Sequence, residues 1–442
     1  MALRPALAAV LLSVLLPAPA PAAEVTIGGR TLTVADGFEV ELVAGPPLVE
    51  RPISAAFDDL GRLYVTDSAG MSDKADVQAK AKPHRVRRLE DTDGDGRFEK
   101  SVVFASGIGF PEGCLWHGGS VYVAAPPQIL KLTDADGDGV AEKREVWFDG
   151  KTVTGCGNDL HGPYLGRDGW LYWCKGAFAE QTYTLPSGKP FTTRASHVFR
   201  ARPDGTGIEP VLTGGMDNPV GLAFLSTGER VLSCTFLQHP ANGRRDGLLH
   251  AVYGGVYGKV HDVLDGHAMT GSEMPVLSHQ GAAAPAGLIA GSDALFGGGY
   301  QDRLLACYFN LHKVTLHELA PNGSTFVATD TDLLSCDHPD FHPTDVIEDD
   351  DGSVLIVDTG GWYKICCPTS VLAKPDVLGA IYRVRRKGQP KVEDPRGLKL
   401  KWDGVEPAEL VRLLTDPRPA VRRRAVAAIR AAGPAGARAL AT

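Results

Sequence analysis

The chain has 442 residues and a net charge of −8, and 43% of its residues are hydrophobic, enough for a large globular core. The charge is uneven: from Arg383 onward 15 Lys and Arg stand against 6 Asp and Glu, whereas the preceding body has 30 against 47. Such an acidic body speaks against nucleic acid as a partner and suits cation binding.

The chain opens with Met1–Ala23, in which Arg4 precedes the apolar run ALAAVLLSVLL and small residues at Ala20, Ala22 and Ala23. A basic start, a short apolar core and a small-residue cleavage region predict a secretory leader. The run is short for a bilayer, so no membrane span is expected after cleavage, and the mature protein is expected in the periplasm or outside the cell.

From there one phrase recurs. It reads RPISAAFDDLGRLYV from Arg51, FPEGCLWHGGSVYV from Phe110, LHGPYLGRDGWLYW from Leu160 and DNPVGLAFLSTGERVL from Asp217. It returns as APAGLIAGSDALFGGGYQDRLLACYF from Ala284 and FHPTDVIEDDDGSVLIVD from Phe341. Each copy is a strand, a tight turn and a second strand, most clearly around Asp168-Gly169. The anchors Pro52, Pro111, Leu160, Pro219, Pro285 and Pro343 are spaced by 59, 49, 59, 66 and 58 residues. A strand-rich unit of this period predicts a mainly β fold, a propeller of about six blades over residues 24–386.

Ring closure then dictates where function lies. The innermost strand of every blade starts beside the central channel, so residues at those starts gather at one end. The set is Arg51, Glu112, Asn158, Asp159, His161, Asp217, Asn218, His342 and Asp345. His161, Asp159 and Asp217 are the catalytic candidates, with His161 as general base because neutral imidazole is populated near pH 7. Asn158, Asn218, His342 and Asp345 are the ligand-binding candidates. His161 stands between Asp159 and Gly162-Pro163, outside the apolar run, so it is expected to face the channel close to Asp217 or His342.

Two acidic loops carry a metal signature. One is Asp91, Asp93, Asp95, Gly96 and Glu99; the other is Asp134, Asp136, Asp138, Gly139 and Glu142, followed by Glu145. Alternate carboxylates, a Gly for the bend and a later Glu suit structural Ca²⁺, and Glu145 occupies the last EF-hand place. The flanks read as strands, so the loops join outer strands of blades 1 and 2, either as calcium sites or as unoccupied polar hairpins.

Eight cysteines form no CxxC or CxxCH, so the chain carries neither a zinc ribbon nor a c-type haem site. Cys114, Cys174, Cys234 and Cys307 read equally as buried small hydrophobes or as disulfide partners. Cys366-Cys367 follow Trp362. They either form a vicinal disulfide, which beside Trp362 makes a platform for a planar ligand or a sugar face, or stay unpaired with each other.

Two resemblances rest on these phrases. HGPYLGRDGWLYW and DNPVGLAF resemble the six-bladed soluble sugar dehydrogenases that use pyrroloquinoline quinone. That family has an Arg before its Asn-Pro where this chain has Asp217, and its catalytic His falls on Asn158 or Asp159. Over residues 36–386, GFEVELVA, DTDGDGRFEKSVVFASGIGFPEG, NDLHGPYLGRDGWLYWCKGAF and GGWYKICCPTS resemble the membrane-bound dehydrogenase family of planctomycetes and verrucomicrobia. This resemblance implies HEAT repeats and a cytochrome c domain after the propeller.

The tail fits that order. Residues 387–404 read as a basic linker. Pro407–Thr415 and Pro419–Ala432 read as two helices with apolar stripes Leu410, Leu413, Leu414 and Val421, Ala425, Ala428, Ile429, a first HEAT-like pair within residues 405–442. Two functional readings follow. One is a quinoprotein-like oxidoreductase acting on carbohydrate or alcohol, passing electrons to a cytochrome domain outside this chain. The other is a non-catalytic propeller that binds glycan or scaffolds partners.

Overall fold

The structure, a computed structural model, describes residues 22–155, 160–237, 244–361 and 374–441. The expected ring of six blades is present, each an antiparallel sheet built outward from the channel. Blade 1 comprises Pro52–Phe57, Leu63–Asp67, His84–Glu90 and Lys100–Ile108, with a short helix α1 (Ala75–Ala81) before its third strand. Blade 2 runs from Gly113–His117 to Lys143–Asp149, and blade 3 from Leu160–Leu165 to Glu209–Gly214. Blade 4 runs from Asn218–Phe224 to Ser278–Gly281, and blade 5 from Pro285–Ala290 to Thr325–Cys336. Blade 6 begins at Pro343–Glu348, whose neighbour on the far side is the first strand of blade 1.

Strand alternation explains why the ring holds. In Leu63–Asp67, Leu63 and Val65 point into the core shared with blade 6, while Tyr64 points into the core shared with blade 2. In the second strand of blade 2 (Ser120–Ala125), Val121 and Val123 face blade 1, and Tyr122 and Ala124 face blade 3. Every gap between consecutive blades has such an apolar cluster. A strand buried on both faces reads as a continuous apolar run, which is what LYV, SVYVAA and VLIVD are. No blade can bury both faces alone, so the core exists only in the ring.

Two closures fasten the ring. Phe38–Ala44, near the start of the chain, forms the outermost strand of blade 6, with Val40 opposite Val384. The preceding hairpin Ala23–Ile27 and Arg30–Val34 extends blade 5, with Leu32 opposite Cys336. Arg30 donates to the buried Asp358 and so ties that hairpin to blade 6.

The anchor positions have a physical role. The innermost strand slips register between Pro52 and Ser54, His161 and Tyr164, Pro219 and Leu222, Pro285 and Leu288, and Pro343 and Asp345. Proline offers no N–H to the ladder, so the strand bulges there and turns its first residues toward the channel. Gly113 lets blades 2 and 3 meet at this level: a Cβ on it would lie 2.2 Å from the Gly162 carbonyl oxygen.

The tail folds into α2 (Pro407–Leu413) and α3 (Pro419–Ala431), each a residue or two shorter than the sequence suggested. A third helix, α4 (Pro434–Leu440), was not expected. Of the expected stripes Leu410, Val421, Ala425 and Ile429 are buried, while Leu413, Leu414 and Ala428 are half-buried. Among the described residues no helix is long and apolar enough to cross a membrane. The leader region lies outside them except for its last two residues, Ala22 and Ala23.

Candidate functional site

A cavity of about 2130 Å³ runs along the ring axis. Its mouth is formed by the starts of the innermost strands and its floor by the turns at their other ends together with α3.

His161 lines this cavity near the mouth and is 5% exposed. It lies on the innermost strand of blade 3, opposite Cys174, at the edge of the bulge that Gly162-Pro163 forces. Its Nε2 is 2.9 Å from Asn218 Oδ1 of blade 4. Its Nδ1 is 3.6 Å from the Glu112 carboxylate of blade 2. The imidazole is thus fixed by the blades on both sides, with Nε2 donating to the Asn218 amide oxygen and Nδ1 facing the Glu112 carboxylate. His161 lines the channel as expected, and among the described residues its side chain meets Asn218 and Glu112.

Asp217 faces a cation instead. Its Oδ1 accepts from Lys259 Nζ at 2.5 Å. Lys259 comes from the insert between the third and fourth strands of blade 4, where Val256–Tyr257 pairs in parallel with blade 3. That insert accounts for the longest anchor spacing, and no repeat pattern marks Lys259. The ammonium also lies 5.7 Å from the Phe178 ring and 5.3 Å from the Phe236 ring. Arg245 stacks on Phe236 at 4.6 Å and is bonded to the buried Asp246 at 2.9 Å. Phe178 and Phe236 have φ of 83° and 56°, a left-handed backbone that costs a bulky side chain of order 1–3 kcal/mol. Both line the mouth. Sequence reasoning missed this cation–aromatic corner, because only the ring brings its parts together.

The other candidates are distributed around the channel. His342 stacks on Phe309 at 4.3 Å and donates from Nδ1 to the Gly360 carbonyl at 2.6 Å. Burial pushes its imidazole down to about 4. Asp345 is deeper in the wall, accepting from the Ser54 hydroxyl at 2.7 Å and the Ala55 N–H at 3.1 Å. The crowding of the innermost strands pushes its carboxyl up to about 6, against those hydrogen bonds, which lower it. Arg51 is buried and donates to the Pro375 carbonyl. Asn158, Asp159, Trp362, Cys366 and Cys367 lie outside the described residues. Cys114, Cys174, Cys234 and Cys307 are unpaired, and burial raises all four thiols, so they are inert packing groups.

The two acidic loops join the outer strands of blades 1 and 2 as expected. Asp91, Asp93, Asp95 and Glu99 bring one carboxylate oxygen each within 4.8 Å of one another, and so do Asp134, Asp136, Asp138 and Glu142. The loops are built alike: Gly94 donates to Asp91 and Gly137 to Asp134, both at 2.7 Å. Glu145 is not in that cluster. It projects from the following strand and pairs with Lys143 at 3.4 Å, because the chain leaves the loop as a strand rather than an EF-hand helix. Each loop also rests on an arginine of the preceding blade. Arg383 of blade 6 donates to the Gly96 carbonyl at 2.9 Å, and Arg88 of blade 1 to Asp134 at 3.3 Å.

Among curated proteins none matches the sequence. Solved structures share the fold. A glucose dehydrogenase-like oxidoreductase from Thermus thermophilus aligns with a TM-score of 0.53 and 19% identity, over 78% of this chain and 99% of that one. The PQQ-bound aldose sugar dehydrogenase of Streptomyces coelicolor aligns at 0.51 and 14%, over 79% and 98%. The calcium structure of a Trichoderma reesei carbohydrate-active enzyme of family AA12 aligns at 0.57 and 14%, over 82% and 98%. The chain therefore shares its propeller fold with these proteins. The family profile of DUF7133, a domain of unknown function, matches residues 28–388, the whole ring with both closures except the first strand of the hairpin, and the chain belongs to that family.

Proposed function

We propose that this chain is an exported oxidoreductase acting on a hydroxyl of a carbohydrate or related alcohol at the mouth of the channel. The observation that carries this reading is His161, buried at the mouth and gripped by Asn218 and Glu112, beside two phenylalanines kept at positive φ around Lys259. Strained, preorganised side chains around a positioned base are what proton abstraction needs. When a substrate hydroxyl displaces Asn218, the ring proton shifts to Nδ1 beside Glu112, and the freed Nε2 takes the hydroxyl proton, giving an imidazolium that Glu112 stabilises. Asp217, Asn218 and the aromatic rings orient the sugar.

A flat, polyanionic quinone of the PQQ kind suits the same corner: Phe178 and Phe236 offer apolar faces, and Lys259 and Arg245 offer cations. When bound, it would supply the two-electron acceptor. Asp217 weakens that fit, since it neutralises Lys259 where the sugar dehydrogenases have an Arg. A cytochrome c domain outside this chain would take the electrons onward. The two acidic loops hold structural Ca²⁺ and stiffen the contacts of blade 6 with blade 1 and of blade 1 with blade 2.

One observation favours a second reading, glycan binding without turnover. Lys259, Arg245 and Lys374, three cations at the mouth, each face a carboxylate, which suits a neutral ligand. The test is to incubate the purified chain with calcium and pyrroloquinoline quinone, add aldoses, and follow reduction of a dye acceptor. Dye reduction by the wild type that is lost in His161→Gln supports the oxidoreductase. Aldose binding without dye reduction by quinone-loaded protein overturns it in favour of glycan binding.

A further inference from the structure

The far end of the channel has a cover that the ring does not supply. α3 lies across it, and the α3 residues lining the cavity centre on Pro419, Ala420, Arg423, Val426, Ala427 and Arg430. Steps of three and four residues make these one helical face. The opposite face, Val421, Ala425 and Ile429, is buried within the tail itself, with Val421 against Gly397 of the linker. On the chamber side only Pro419, at the start of α3, is buried, and Val426 remains 40% exposed, so most of this face spans the opening without packing into it.

The attachments of the tail differ in strength. The linker is anchored by Arg396, which donates to the buried Asp349 at 2.6 Å and stacks on Phe57 at 4.8 Å. α3 itself is held to the ring by two exposed pairs, Arg422 with Asp293 of blade 5 and Arg423 with Asp350 of blade 6, both at 2.5 Å. Exposed pairs contribute little and are screened by salt, whereas the buried anchor is not.

We infer that α3 is a movable floor. Seated, it shuts the far end of the channel, so ligand is admitted only past His161. Released from Asp293 and Asp350, it swings on the Arg396 anchor and opens the channel from below. The packing of the tail alone carries this, whatever the mouth binds.

The test uses a reporter thiol, Ala427→Cys, on the chamber face of α3, and a bulky polyethylene glycol maleimide too large to pass the channel. Modification of residue 427 is followed by peptide mapping, which separates it from the native cysteines. Labelling should be slow in otherwise wild-type protein. It should speed up roughly two- to tenfold with Arg422→Glu and Arg423→Glu, the scale expected for losing two exposed pairs. Adding Asp293→Arg, which re-pairs position 422 with the signs exchanged, should restore much of the slow rate; Asp350 is left in place because it also faces Arg396 at 3.4 Å. Charge reversal with no change in rate, or rapid labelling of the starting protein, overturns the floor. An unchanged melting temperature in each variant separates release of α3 from loss of the fold.

Discussion

The two ends of the channel are made by the same six strands, yet they differ in kind. At the mouth five of the six strands start on bulges, Phe178 and Phe236 hold a strained backbone, and His161 is buried between groups from two neighbouring blades. At the floor the strands end in ordinary Gly turns such as Gly166–Gly169, and the charged pairs, the buried Arg396–Asp349 and the exposed pairs of Arg422 and Arg423, serve to hold the tail on the ring. Strain and buried polar geometry have to be stabilised by the surrounding fold and persist where they serve a purpose. The contrast assigns chemistry to the mouth and closure to the floor.

Removing the base should break this contrast most severely. His161→Gln keeps a polar side chain near Asn218 and should lower dye reduction about 10²–10⁴-fold while leaving aldose affinity within a few-fold, as loss of a general base requires. Equal loss of affinity and turnover would mean that His161 only shapes the pocket.

Calcium comes next, because it acts away from both ends. An ion binding only the folded loops stabilises by about 3–4 kcal/mol per site at a hundred to a thousand times its Kd. Millimolar Ca²⁺ should raise the melting temperature, and Asp93→Ala with Asp136→Ala should abolish the rise. A melting curve unchanged by Ca²⁺, with no calcium by elemental analysis, refutes the sites.

Asp345 sharpens the comparison from the middle of the channel. Its folded carboxyl keeps its proton to about pH 6, whereas an exposed Asp loses it near pH 4. The protonated group therefore favours the fold fully below pH 4, and that contribution is lost as pH rises through 6. Asp345→Asn escapes the loss and should be stabilised relative to the wild type by about 2 kcal/mol more at pH 8 than at pH 4. An equal difference at both pH values, read from denaturant midpoints, would mean that Asp345 titrates normally.

The smallest effect concerns the cation corner. Asp217→Asn frees Lys259 and should tighten binding of pyrroloquinoline quinone by a few-fold at low salt, less at high salt. Weaker binding would show that Asp217 helps to hold the ligand.

Much of this was legible in the sequence, for reasons that can be located. The anchors marked the blades because proline at a strand start has a backbone consequence, and the acidic loops were visible because their ligands are local. His161 could be placed at the channel because Gly162-Pro163 interrupts the apolar run beside it. What stayed hidden is non-local. Phe38–Ala44 closing blade 6, Lys259 reaching Asp217 from an insert, and α3 crossing the floor each join segments far apart in the chain. No spacing rule encodes such meetings. Glu145 was misassigned because the EF-hand pattern presumes a helix where this chain continues as a strand.

The central claim, that ligand chemistry belongs to the mouth, is tested most directly by hydrogen–deuterium exchange of the calcium-loaded chain with and without pyrroloquinoline quinone and an aldose. Protection confined to residues 160–164, 176–178, 217–220 and 234–237, with turns 57–62 and 166–170 unchanged, is the predicted result. Protection at those turns instead, or an even rise across all six blades, would contradict it.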